Sequence, residues 1–217
     1  MRDGHVSRSD AVWIIKFLGS EVIDRYYTYQ IIKGVPGLQC FTFTYHDVNY
    51  TGQFQTVYFD DYFSRHTGKN DEASRRLLRF KDGDDVVVNY YSTQIKNILN
   101  GEAIICCSPS SSRDHWGGGL VKLIEKLSKQ AQCIAKPQLI RRIVDTEKRS
   151  RGGDRSIETN LGSMAISDPE SCRDKAIVVF DDIFTTGNTL KACAALLWSS
   201  SVSSVTCITM GHAVNTW

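Results

Sequence analysis

The sequence lacks several patterns that mark common protein classes. No CxxC pair occurs among its seven cysteines, so a zinc ribbon is not expected. Their number is odd and most of them stand in apolar runs, which indicates buried thiols in a reducing compartment rather than a disulfide framework. No apolar stretch approaches the length of about 18 residues that a membrane span needs, and the start, MRDGHVSRSD, has no apolar signal region. We therefore expect a cytoplasmic protein without a membrane partner.

Two nucleotide-binding signatures are also missing. The sequence contains neither the phosphate loop GxxxxGK[ST] nor the dinucleotide fingerprint GxGxxG after a predicted strand. A net charge of +2 gives no argument for nucleic acid, although such a contact stays open. The 217 residues, of which 41% are hydrophobic and 23% charged, fit one globular domain with an elaboration or two small ones.

What is present from about residue 76 onward is an alternation of strands and helices. Short apolar runs such as AIICC and AIVVF predict buried strands, and the segments between them carry apolar residues at helical spacing. This order is typical of an α/β, Rossmann-like fold in which helices cover both faces of a parallel sheet. The predicted strands are 103–107, 138–143, 176–180 and 205–210, and the predicted helices are about 84–99, 117–131 and 186–199.

The first third of the chain has a different pattern. Residues 10–18, DAVWIIKFL, predict a short amphipathic helix, and the β-forming runs 38–45 and 53–59 predict a hairpin. The polar segment 64–74 follows, and its composition is typical of a boundary or a mobile loop. The predicted domains are an N-terminal hood or accessory segment, 1–75, and a core, 76–217.

The most informative stretch is FDDIFTTGNTL. Asp181 and Asp182 follow a buried strand, and in open α/β sheets ligands bind at that end of the strands. Two carboxylates can accept hydrogen bonds from vicinal hydroxyls and help to hold a hydrated Mg²⁺. The turn after them offers hydroxyls, backbone amides and a helix N-terminus to an anion. A solvated acidic turn and an ordinary capped helix start are the alternatives. The predicted phosphate-binding residues are Thr185, Thr186, Gly187, Asn188 and Thr189, and we call them the phosphate loop.

A second candidate loop follows the predicted strand AIICC. We call residues 108–113, SPSSSR, the serine loop; three glycines and a helix come shortly after it. Its hydroxyls, amides and single guanidinium could hold a diphosphate, although Ser/Gly connections are often only flexible. The predicted diphosphate-binding residues are Ser110, Ser111, Ser112 and Arg113.

A third candidate is the basic loop, residues 146–156, TEKRSRGGDRS. It has two glycines and no apolar anchor, so it could close over a diphosphate and exclude water. A solvated basic loop is an equally good interpretation. The flexible-loop candidates are Lys148, Arg149 and Arg151.

The motif FDDIFTTGNTL resembles the binding motif of the type I phosphoribosyltransferases, which use 5-phosphoribosyl 1-diphosphate (PRPP). The segments LLRFKDGDDVVVNYYSTQIKNIL and RSIETNLGSMAI resemble the ComF-like branch of that family. The resemblance implies that Asp181 and Asp182 face the ribose, that the phosphate loop takes the 5-phosphate, and that the serine loop takes the diphosphate. It also implies a type I phosphoribosyltransferase fold, a flexible loop in the region of the basic loop, and Mg²⁺ as cofactor.

The sequence also departs from the family pattern. Thr185 stands where purine-salvage members have an acid that handles a ring-nitrogen proton, and the zinc ribbon of typical ComF-like proteins is missing. We therefore expect a Mg²⁺-dependent phosphoribosyltransferase, a glycosyltransferase of pentosyl groups, with an unknown acceptor. The alternative is a non-catalytic protein on the same fold that senses PRPP or a nucleotide or assists a nucleic-acid process. A homodimer stays open.

Overall fold

The structure is a computed structural model of the 217-residue chain. It describes residues 13–16, 30–31, 39–46, 51–64, 71–100, 102–146 and 156–214. The strands are β1 (Trp13–Lys16), β2 (Gln30–Ile31), β3 (Gln39–His46), β4 (Thr51–Tyr62), β5 (Leu99–Asn100), β6 (Ala103–Cys107), β7 (Cys133–Ala135), β8 (Ile140–Arg142), β9 (Met164–Ile166), β10 (Ala176–Phe184) and β11 (Ser204–Ala213). The helices are α1 (Glu72–Lys81), α2 (Asp85–Lys96), α3 (Gly118–Gln130), α4 (Ile157–Ser163) and α5 (Asn188–Ser199), with a 3₁₀ turn at Glu170–Cys172.

A six-stranded sheet organises the chain, in the order β3-β4-β11-β10-β6-β7. The strands from β4 to β7 run parallel, and β3 pairs antiparallel with β4. β10 lies between β11 and β6, so the carboxyl ends of three parallel strands meet where Asp181 and Asp182 stand. This confirms the predicted α/β architecture with a mostly parallel sheet.

Helices cover both faces of this sheet. On one face α1, α2 and α3 bury a core that includes Phe80, Tyr91 and Leu123 against alternate residues of the strands. On the other face α5 buries Leu190 and Leu197. This two-sided burial explains why the strand sequences are continuously apolar instead of alternating.

Polar contacts attach β4 to the helices. The Asp60 carboxylate, near the end of β4, accepts hydrogen bonds from Arg76 Nη2 at 2.8 Å and from the Tyr91 hydroxyl at 2.6 Å. Burial, followed by the hydrogen bond to Asp60, raises the pKa of Tyr91. The β3–β4 hairpin thus continues the central sheet, and β4 is tied to α1 and α2. The division between 1–75 and 76–217 stays a prediction.

Several sequence predictions can be compared with these elements. The predicted hairpin is confirmed in β3 and β4, whose connecting turn lies outside the described residues. The predicted helix at 10–18 is wrong at residues 13–16, which form β1; Ile14 pairs with Gln30 of β2 and Ile15 with Leu99 of β5. β-Branched isoleucines favour an extended backbone once partner strands are available.

The structure describes the side chains of six of the seven cysteines. Cys106, Cys107, Cys172, Cys193 and Cys207 are buried and free in the structure, and Cys133 is free and half-buried. Burial raises the pKa of the Cys193 thiol to about 12, which keeps it protonated. In the described part of the chain, every helix is too short or too polar for a bilayer crossing.

Candidate functional site

Two carboxylates stand near the carboxyl end of β10. Asp181 Oδ1 accepts a hydrogen bond from the Ser108 hydroxyl at 2.7 Å and from the Asp182 amide at 2.9 Å. Asp182 Oδ2 lies 3.1 Å from Lys81 Nζ, and its Oδ1 accepts from the Ile183 amide at 2.7 Å. The sheet thus brings the carboxylates together with a serine from the next strand and a lysine from α1.

The Asp181 carboxyl group is partly buried and lies beside a second acid. Burial, followed by the charge of the neighbouring Asp182 carboxylate, raises the pKa of Asp181 to about 7. The Ser108 hydroxyl, the Asp182 amide and the Lys81 ammonium act in the opposite direction. A cation or a set of hydroxyl donors in front of these carboxylates would therefore be favourable, because it relieves the repulsion between them.

The phosphate loop connects β10 to α5. Gly187 has a φ of +72° and takes the N-cap position of α5, where it makes no side-chain capping bond. A left-handed backbone conformation at this point is easy for glycine and strained for other residues. The first amides of a helix have no partner within the helix, so the loop presents donors together with the positive end of the α5 dipole.

The serine loop lies on the neighbouring strand end. Ser110 Oγ is 3.0 Å from His115 Nδ1 and accepts a hydrogen bond from the Ser112 amide at 3.1 Å. The Ser110 amide donates to the His115 carbonyl at 3.0 Å. Ser111 bonds through its carbonyl to the Thr146 amide at 2.9 Å. The loop is therefore held by its own polar groups and by the start of the basic loop.

A buried arginine supports the serine loop from β8. The Arg142 side chain is almost inaccessible, and its Nε donates to the Ser110 carbonyl at 2.9 Å. Its Nη1 and Nη2 donate to Asn160 Oδ1, and Nη1 also donates to the Ser163 hydroxyl at 2.5 Å. Arg142 thus connects the serine loop to α4, which follows the basic loop.

These groups line one cleft with a volume of about 1020 Å³. Asp181 and Asp182 lie on its wall together with Lys81, His115 and Arg142. The whole phosphate loop lines the cleft, as do Ser108 and residues 110–112 of the serine loop. The two loops that the sequence places 70 or so residues apart thus face the same space, because β6 and β10 are adjacent parallel strands.

Arg113 differs from its predicted neighbours. It does not line the cleft; its side chain is 68% exposed and its Nε lies 3.7 Å from Asp114 Oδ2. Its amide donates to the Asp145 carboxylate. Lys148, Arg149 and Arg151 of the basic loop lie outside the described residues. The diphosphate role of Arg113 stays a prediction.

Sequence reasoning did not single out three residues of the cleft. Ser108 was part of the recognised serine loop, and its position directly after the strand AIICC could have identified it. Lys81 belongs to the last turn of a helix distant in sequence, and Arg142 to a three-residue strand. Their sequence surroundings carry no comparable signal, because only the tertiary fold brings them to the carboxylates and the serine loop.

Comparison with known proteins addresses the same region. Residues 121–212 match the family model described as the phosphoribosyl transferase domain. The match supports the resemblance of this chain to the phosphoribosyltransferases. Together with the parallel sheet and its flanking helices it shows a type I phosphoribosyltransferase-like α/β fold. The matched segment contains both carboxylates and the phosphate loop, and it begins after the serine loop.

Solved structures and curated sequences add less. Two crystal structures of a hypoxanthine phosphoribosyltransferase from Staphylococcus aureus, in tetragonal and orthorhombic forms, are each 16% identical to this chain, with TM-scores of 0.36 and 0.37. The alignments cover 62% and 71% of this chain. They span 62% of the tetragonal structure's chain and 77% of the orthorhombic one's. No curated protein sequence matches the chain significantly.

Proposed function

We propose that this protein is a Mg²⁺-dependent phosphoribosyltransferase that uses PRPP and belongs to the ComF-like branch. The observation that carries the proposal is the shared cleft: two carboxylates, the phosphate loop and the serine loop all line it. A sugar that bears a phosphate at one end and a diphosphate at the other needs these three kinds of group.

Each part of the cleft then has a role. Asp181 and Asp182 accept hydrogen bonds from the ribose hydroxyls. The hydroxyls of the phosphate loop and the amides at the start of α5 bind the 5-phosphate. The hydroxyls and amides of residues 110–112 bind the diphosphate, and Arg142 positions them through the Ser110 carbonyl.

The two carboxylates of the cleft suit a Mg²⁺ ion whose other ligands are waters and substrate phosphates. Within the described ranges no group of three or more His, Cys, Asp or Glu side chains could form a metal site on its own. Mg²⁺ usually keeps several waters and binds through one or two carboxylates plus substrate phosphates. Asp181 and Asp182 would hold it through water. When bound, the ion would neutralise charge on the diphosphate leaving group.

The transfer step follows from these positions. Diphosphate leaves C1 of the ribose, and the acceptor forms the new bond at the same carbon through an oxocarbenium-like transition state. The carboxylates face the developing positive charge and stabilise it electrostatically, without a covalent nucleophile. The acceptor is a nucleobase, another amine or a macromolecule. Thr185 in place of an acid argues against simple purine salvage.

Binding and turnover of PRPP test this proposal. Titration calorimetry with PRPP and Mg²⁺ is expected to show binding, and diphosphate release is expected once a metabolite extract supplies the acceptor. Asp181→Asn and Asp182→Asn are expected to abolish both signals. Asp168→Asn is the matched control, since that carboxylate pairs with Lys136 and does not line the cleft.

The outcomes separate the enzyme from the non-catalytic alternative. Acceptor-dependent release that disappears in the two variants supports the transferase. Tight PRPP binding without turnover in any extract fraction favours a PRPP-sensing or accessory protein. Absence of PRPP binding in the wild-type protein would contradict both.

A further inference from the structure

Lys81 is a cation on the cleft wall to which the roles above assign no function. It is the last residue of α1, and its Nζ lies 3.1 Å from Asp182 Oδ2. The Lys81 side chain is 58% exposed, whereas that of Asp182 is only 19% exposed. The carboxylate of Asp182 is the main cause of the raised pKa of Lys81, so the ammonium group stays charged.

The end of α1, which carries Lys81, packs against the start of α3. A Cβ atom at Gly119 would lie only 1.9 Å from the Phe80 carbonyl oxygen, so the end of α1 touches the start of α3 directly. Gly117 and Gly118, at that start, also line the cleft, and the serine loop leads into them. Lys81 therefore extends into the cleft from the contact between α1 and the glycines that follow the serine loop in the sequence.

Among the described residues that line the cleft, Lys81 is a charged group available to an anion. Arg113, the predicted cation, does not line the cleft. Arg142 does, but it is 2% exposed and its guanidinium donates to Ser110, Asn160 and Ser163. Lys81 has an exposed ammonium group on a flexible stem, with three N–H donors that can reorient.

Building on the PRPP-binding function proposed above, we propose that Lys81 is an exchangeable counter-ion of the cleft. In the ligand-free protein it neutralises Asp182 beside the second carboxylate. When the ribose hydroxyls donate to Asp182, Lys81 leaves that carboxylate and binds a diphosphate oxygen. The same lysine thus limits the repulsion between the two carboxylates before PRPP binds and contacts the diphosphate once PRPP is bound.

Binding of two related ligands tests the exchange. PRPP and ribose 5-phosphate share the sugar and the 5-phosphate, but only PRPP carries the diphosphate. Lys81→Met is expected to weaken PRPP binding by about tenfold or more, the range of a hydrogen bond to a charged group. Ribose 5-phosphate has no diphosphate for Lys81 to bind, and in this variant its hydroxyls no longer displace the lysine from Asp182, so its affinity is expected to stay the same or to rise. The affinity for inorganic diphosphate is expected to fall together with the affinity for PRPP.

Matched variants separate this role from a structural one. Arg79→Gln removes a charge from the same helix turn, where Arg79 pairs with Asp84 outside the cleft, and both affinities are expected to stay unchanged. Lys81→Arg keeps the charge and is expected to recover much of the PRPP affinity. Lys81→Gln repeats the neutral substitution if the methionine variant does not fold, and thermal unfolding of each variant checks its integrity.

Two results would overturn the inference while leaving the proposed function intact. One is wild-type PRPP affinity in Lys81→Met. The other is an equal loss for PRPP and ribose 5-phosphate, which would assign Lys81 a role in shaping the cleft only. If the wild-type protein binds no PRPP, the proposed function itself fails, and this outcome is distinguishable because it appears before any variant is made.

Discussion

The close contact between α1 and α3 predicts that Gly119→Ala destabilises the fold. Gly119 is buried in the first turn of α3, directly against Phe80 at the end of α1. An added Cβ atom would lie 1.9 Å from the Phe80 carbonyl oxygen and 2.9 Å from its carbonyl carbon. Both atoms are backbone atoms, so no side-chain rotation can make room. The two helices have to separate instead.

The magnitude follows from this distance. Real Cβ contacts essentially never fall under 3.0 Å, so the gap of 1.9 Å has to open by about 1.1 Å. Overpacking of a well-packed core costs about 1–3 kcal/mol, and a backbone clash belongs at the upper end of that range. The better helix propensity of alanine offsets about 1 kcal/mol at most. We expect Gly119→Ala to lower the free energy of unfolding by about 2 kcal/mol and Tm by roughly 4–8 °C.

Gly118→Ala is the matched control. A Cβ atom at Gly118 would meet nothing within 4 Å, so this neighbouring substitution is expected to leave stability unchanged or slightly higher. Urea unfolding followed by circular dichroism measures both variants. Equal stabilities of Gly119→Ala and Gly118→Ala, within about 0.5 kcal/mol, would refute the reasoning from the helix contact.

Three further predictions concern the polar groups of the cleft and core. Because the folded-state pKa of Asp181 is raised to about 7, its protonated form stabilises the fold at low pH, and this contribution is lost as the pH rises from about 4 through 7. Asp181→Asn is therefore expected to have a higher Tm than wild type at pH 8 but not at pH 4, and a difference independent of pH would contradict this. Arg142→Met removes the donor to the half-buried Ser110 carbonyl and to the buried Asn160 and Ser163 side chains, and is expected to cost about 3 kcal/mol in urea unfolding; a loss under about 1 kcal/mol would count against its supporting role. Tyr91→Phe removes the hydroxyl bonded to Asp60 and is expected to cost about 1.5–3 kcal/mol, whereas unchanged stability would show that this bond has no net effect.

Local pattern predicted the core elements well and the connections between them poorly. The runs AIICC and AIVVF were recognised as buried strands because both faces of the sheet are covered, and α3 because Leu120, Leu123 and Leu127 share one face. The mostly polar stretch after residue 145 contains α4 and β9, which the sequence pattern did not predict: α4 has few apolar residues, and β9 has only three residues, too few to show a period. The segment that forms β1 has a locally amphipathic pattern, which predicts a helix. Its partner strands lie elsewhere in the sequence, so the pattern could not reveal the strand.

In the candidate site, too, the sequence predicted the contiguous residues of a motif but not the positions that depend on the tertiary fold. The order of strand, two acids and glycine turn in FDDIFTTGNTL was enough to place Asp181, Asp182 and the phosphate loop at a strand end. The ion pair of the Arg113 side chain with Asp114 and the bond of its backbone amide to Asp145, by contrast, follow from the fold of the loop around them.

The sequence by itself determined the α/β class, the buried strands and the motif in which two carboxylates precede a glycine-containing turn, because these features belong to contiguous residues. Only the tertiary structure decided which distant groups join that motif. Ser108 reaches Asp181 because β6 pairs with β10, and Lys81 reaches Asp182 because α1 packs against the start of α3. Pairing and packing depend on the whole chain, so the cations that accompany the carboxylates could not be identified from their own surroundings in the sequence.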